Sequence, residues 1–115
     1  MSRKVWKETI SIEGRDKGKT FEITEMPATA GKKWVMELYS LGEGKSAGYL
    51  TTLMDRPEFI GWRDCVKYRP PDAKLAAQVI SWDDDACQIE EIPTVLFLQG
   101  KVLEMHTGFF QNVSS

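Results

Sequence analysis

The sequence predicts an α+β fold, in which an N-terminal antiparallel β-hairpin packs on about three α-helices. Three observations predict it. The first 25 residues alternate apolar and polar side chains on either side of a break rich in glycine and charge. From Pro27 onward, apolar residues recur at steps of three and four instead. A chain of 115 residues, 42% hydrophobic and 28% charged, fits one domain spanning 1–115, whose modest core needs no metal or disulfide staple. Residues 1–26 form the hairpin part of that domain and residues 27–115 its mainly helical part.

Each element has its own signal. "KVWKETISI" places Trp6, Ile10 and Ile12 on one face of a strand, with Lys7, Thr9 and Ser11 on the other. "EGRDKGK" interrupts it as a charged hairpin tip. "TFEIT" resumes the alternation with Phe21 and Ile23 inward. An isolated hairpin is marginal in water, so this apolar face must rest on another layer. Pro27 stops the second strand and suits a first helical turn, where no amide donor is needed. Trp34, Val35, Leu38 and Leu41 then form a helical stripe, closed by Gly42 as a C-cap and followed by a loop over 42–48. Asp55 and Glu58 have capping-box spacing with Pro57 between them, which predicts a short helix with Phe59, Trp62 and Val66 buried. It must end before "RPPD". Two readings of the next stretch stay open. "AKLAAQ" favours helix, whereas "QVISW" favours a strand paired with "CVKYR" as a second short hairpin across Pro70 and Pro71. The last helix starts near Glu90, so that Pro93 falls in its first turn.

Composition excludes several function classes. The net charge of −2 comes from interspersed acids and bases, which argues against nucleic acid as the main ligand. No apolar run reaches the roughly 18 residues of a membrane span, and the first residues lack the apolar region of a secretory signal. Cys65 and Cys87 are expected to be free thiols in a cytosolic protein. One histidine and two separated cysteines do not make a zinc site, which takes four ligands in close pairs. "WDDDA" lacks the glycine and distal glutamate of a calcium loop. Its aspartates are expected to favour the start of the last helix, where negative charge is stabilising. "GRDKGK" lacks the Walker spacing of a phosphate cradle. No metal or cofactor is expected.

His106 is the single histidine of the chain. A catalytic imidazole is oriented by a carboxylate and acts on a nucleophile or substrate. A small thiol enzyme using Cys65 or Cys87 with His106 is therefore the alternative from a different class. Neither cysteine sits in a recognisable motif. A lone histidine at a helix end interacts favourably with the helix dipole, so His106 is expected to close the last helix while "TGFF" turns the chain. Within that helix Val95, Leu98, Val102, Met105 and Phe109 form one apolar row, and Ile92, Leu96 and Leu103 a second, interrupted by Gln99. A helix apolar on two sides is either central to the core or shared between a core and an interface. Leu98, Val102, Met105, Phe109 and Phe110 are the expected partner-binding residues, facing another protein or a second copy of the chain. Gly100 is expected to permit close approach of another backbone.

Two stretches carry a family resemblance. "RDKGKTFEITEMPA", from Arg15 to Ala28, with Trp34 after it, resembles the start of tail assembly chaperones of long-tailed bacteriophages. "IEEIPTVLFLQGKVLEMHTGFF", from Ile89 to Phe110, resembles their C-terminal helix and its ending. Together the blocks cover about a third of the chain; the helix after "EMPA" is poorer in alanine and arginine than is usual in the family. The resemblance implies a protein of the host bacterial cytoplasm that coats the tape measure protein and keeps it soluble. It would help recruit tail tube protein and be absent from the mature virion. The alternative within the same broad class is another phage morphogenesis or host-adaptor module that binds a different protein.

Overall fold

A computed structural model describes residues 3–113, with the side chains of Ala47 and of residues 109–113 outside the description. The fold is α+β. Four antiparallel strands form one sheet in the order β1-β2-β3-β4, namely Val5–Thr9, Thr20–Thr24, Val66–Arg69 and Gln78–Val79. Among the described residues, three helices, α1 (Ala28–Gly42), α2 (Ala47–Met54) and α3 (Ile92–Val113), and a 3₁₀ turn at Ile60–Cys65 accompany it.

The first hairpin follows its alternation. Val5 faces Thr24 and Thr9 faces Thr20, so Trp6, Phe21 and Ile23 share the inner face. Phe21 and Ile23 are completely buried. The strand is shorter than its apolar pattern, however: Ile10 is buried just beyond its end, but Ile12 is exposed because the chain has already begun to turn. The second hairpin exists as well. Lys67 faces Val79 and Tyr68 faces Gln78, and β3 also pairs with β2, which joins both hairpins into one sheet.

Helix α1 buries Trp34, Val35 and Leu38 but leaves Leu41 exposed. Gly42 is the last helical residue rather than a cap. It is buried, and a Cβ there would collide with the Leu50 side chain, so the glycine leaves room for Leu50 of α2 beside α1. The left-handed turn falls instead at Gly44, with φ +76°.

The middle of the chain departs most from expectation. No α-helix starts at Asp55. The helix lies earlier, starting at the end of the 42–48 stretch that reads as a loop and running through residues 49–54, to which the sequence assigns no element, with Ser46 as its N-cap accepting a hydrogen bond from the Tyr49 amide at 3.3 Å. Leu50, Leu53 and Met54 bury its inner face. Asp55 terminates this helix, its amide donating to Thr52 O at 3.2 Å. The Asp55–Glu58 spacing fails because residues 56–65 close into turns and 3₁₀ geometry, and Val66 is drawn into the sheet beside Ile23. Phe59, Trp62 and Val66 are nonetheless buried. The two buried indoles are satisfied, Trp34 Nε1 donating to Phe59 O at 2.9 Å and Trp62 Nε1 to Met54 O at 3.0 Å.

Candidate functional site

Helix α3 is tied to the N-terminal part of the chain at two places, and these ties determine which of its faces remains outside. The first lies at its start. Asp16, in the turn of the first hairpin, is 1% exposed. Its carboxylate accepts the Glu90 amide at 3.0 and 3.1 Å and the Glu91 amide at 2.9 Å. The first amides of a helix have no partner within it, and for that of Glu91, just before Ile92, an acid 75 residues away supplies one. Lys19 Nζ bridges Asp16 and Glu90, both at 2.9 Å, and donates to Gln88 O at 2.7 Å. Arg15 reaches Glu91 through Nε at 3.0 Å. Burial raises the Asp16 pKa, but hydrogen bonds from Lys19, Thr94 and the two amides outweigh it and hold the carboxyl below its ordinary range. Burial likewise opposes the Lys19 ammonium, yet Glu90 and Asp16 hold its pKa above the usual value.

The aspartates of "WDDDA" do not serve this helix start. Asp83 pairs with Arg63 at 2.7 Å and Asp84 accepts the Ala86 amide at 2.9 Å, both in the loop before Ile89. Their place is taken by Asp16, because the hairpin turn docks directly on the helix terminus.

The second tie is His106. It does not cap the helix, which continues through Gly108 to Val113. Nε2 accepts the Met26 amide at 2.9 Å and Nδ1 faces Val102 O at 2.7 Å, so the proton sits on Nδ1. The ring also meets Trp34 edge-on at 5.8 Å. His106 thus pins the junction between β2 and α1 onto α3, with both nitrogens occupied.

These ties settle the two rows of α3. Leu98 and Val102 are 0% exposed and Met105 is buried, all three within the core. They are not surface residues, because the row that follows Asp16 and His106 is the one turned inward. The other row faces out: Ile92 is 78% and Leu96 50% exposed, Gly100 is open with nothing within 4 Å of where a Cβ would lie, and Leu103 is half-buried. Among the described residues, no other backbone uses the space at Gly100. Gln99 is buried, with its amide donating to Asp55 Oδ1 at 3.0 Å. The side chains of Phe109 and Phe110 lie outside the described residues.

The structure does not assemble a thiol–imidazole pair. Cys65 lines a cleft of about 550 Å³ beside Trp34, Met26 and Glu58, whereas His106 lines a different one. Burial pushes the Cys65 thiol up to about 11, with Asp64 adding to the rise and Arg3 opposing it. A thiol so placed is protonated at neutral pH and weakly nucleophilic. Alkylation of the native protein with iodoacetamide at neutral pH is expected to modify the half-buried Cys87 well before Cys65, which mass mapping of the labelled peptides checks; preferential labelling of Cys65 would contradict this environment. Among the described residues, no group of three or more histidine, cysteine, aspartate or glutamate side chains is arranged to hold a metal ion. No helix among them is long and apolar enough to cross a membrane.

Comparison of the chain with protein-family models, characterised proteins and solved structures finds no match in any of the three.

Proposed function

We propose that the protein is a tail assembly chaperone of a long-tailed bacteriophage, which acts in the host bacterial cytoplasm by binding tape measure protein and helping to recruit tail tube protein. It works by binding rather than by catalysis. One observation carries the reading: the two blocks of sequence that resemble this family meet in space. Arg15, Asp16 and Lys19 of the first block hold Glu90 and Glu91 of the second. Met26 and Trp34 of the first hold His106 of the second. Residues that look like isolated motifs are thus partners in one scaffold, which supports treating the resemblance as a property of the whole domain.

That scaffold presents Ile92 and Leu96, with the half-buried Leu103 continuing their row against the core, on a helix about 33 Å long, at 1.5 Å per residue. An apolar helix face suits a long helical client, which can be engaged along an exposed stripe. Repeated copies along one client would add avidity to weak single contacts. Co-expression with tape measure protein, followed by pull-down, tests the reading. The wild type is expected to keep the client soluble and to co-purify with it. Ile92→Asp combined with Leu96→Asp is expected to stay folded and lose the client. A wild type that leaves the client insoluble, or a double variant that retains it, would count against the proposal.

A further inference from the structure

We infer that a groove at the tip of the sheet binds a short acidic peptide segment of a partner protein. The groove lies between the turn of the first hairpin and the connection from β3 to β4, and encloses about 550 Å³. Five cationic side chains line it, Lys7, Arg15, Lys17, Lys19 and Arg69, and no aspartate or glutamate does. They come from separate parts of a chain whose net charge is −2. This inference is independent of the proposed chaperone role and of the outer face of α3.

Four of these cations already hold carboxylates. Arg15 pairs with Glu91, Lys17 with Glu13, Lys19 with Asp16 and Glu90, and Arg69 with Glu22. The pair of Lys17 with Glu13 is solvent-exposed on both sides, and exposed pairs are held weakly. Lys17 is therefore positioned but can share an incoming carboxylate. Lys7 faces Glu22 across the strands and makes no ion pair among the described residues. It is the cation most free to accept one.

Two features favour carboxylates on a short peptide over phosphate. A phosphate cradle is built from free backbone amides, but those of this turn are spent: Lys17 N–H donates to Gly14 O, Gly18 N–H to Ile10 O and Lys19 N–H to Asp16 O. Tyr68, Pro70 and Pro71 supply an apolar wall for one uncharged side chain among the acids. Side-chain cations with a single apolar wall thus match an acidic segment interrupted by an aliphatic residue.

The test uses the full chain and a fluorescein-labelled octapeptide of glutamates with a central leucine. Tripolyphosphate and a single-stranded oligonucleotide serve as comparators. At low salt the peptide is expected to bind and to shift the amide resonances of Lys7, Gly18, Tyr68 and Arg69. Binding should weaken steeply by about 0.3 M salt, where the screening length approaches side-chain dimensions. Lys7→Gln combined with Lys17→Gln should melt like the wild type and bind about tenfold more weakly, a change of about 1.4 kcal/mol. Lys7→Gln alone, which breaks no ion pair, should weaken binding in the same direction. Unchanged affinity in both variants, shifts confined to other residues, or no binding at low salt would overturn the proposal. Tighter binding of tripolyphosphate or of the oligonucleotide would overturn it in favour of a phosphate site.

Discussion

Replacing Asp16 by alanine is expected to destabilise the protein by about 3 kcal/mol, because the amides of Glu90 and Glu91, which lead into α3, lose their acceptor and Lys19 loses one of its two anionic partners. For a domain of this size the melting temperature should fall by about 10–20 °C. Asp16→Asn keeps the shape and one acceptor oxygen but not the charge, so it should fall between alanine and wild type. The effect carries a pH signature. The folded Asp16 carboxyl lies below its ordinary range. Its contribution is therefore fully present above the unfolded carboxylate value of about 3.9. It is lost as pH falls through the folded value. The stability gap between wild type and Asp16→Ala, measured by denaturant titration, should hold steady from neutral pH to about pH 4–5 and narrow below that. A gap that stays constant into strong acid would mean that the carboxylate charge is not what holds the helix start.

Val102→Asp is expected to unfold the protein outright, and Leu96→Asp to leave it folded. Val102 has no exposed surface and sits in the core beside Leu98 and Met105. Burying a carboxylate there without a partner and losing the apolar contacts together cost more than about 4 kcal/mol. Leu96 is half exposed on the opposite row, where substitutions change stability by about 0.5 kcal/mol. Circular dichroism melting of the two variants reads the orientation of α3 directly. A folded Val102→Asp variant together with an unfolded Leu96→Asp variant would reverse the assignment of its faces.

That orientation could not be taken from the sequence. Spacing shows that α3 has two apolar rows, but both rows look alike, and which one turns inward depends on contacts made 74 to 80 residues away, at Asp16 and Met26. The first hairpin was legible because its alternation is local on each side of the charged tip, although the pattern overran the first strand at Ile12. The second was half legible, since "QVISW" has strand character that its alanine-rich approach obscures. Helix α2 was hidden by its length of eight residues and by the glycines around it. The capping-box spacing at Asp55 then pointed to a helix in a segment that tertiary packing closes into a 3₁₀ turn. His106 was legible as a residue with a structural task, but its partner, a backbone amide across the fold, leaves no mark in local sequence. The cationic groove was invisible for a related reason. Its charges are scattered among acids along the chain, and only the meeting of the hairpin turn with the β3–β4 connection collects them.

The distance in sequence between Asp16 and the amides that it serves also sets an order of events during synthesis. At about 5–20 residues per second, the ribosome adds Glu90 roughly 4–15 s after Asp16. Until then the hairpin turn has no helix to receive, and its inner face, Phe21 and Ile23, has no α3 to complete the core. Met26 waits longer still, since His106 lies 80 residues downstream. The nascent chain therefore passes through an interval in which the apolar face of this hairpin lacks part of its cover, and native closure depends on α3 emerging.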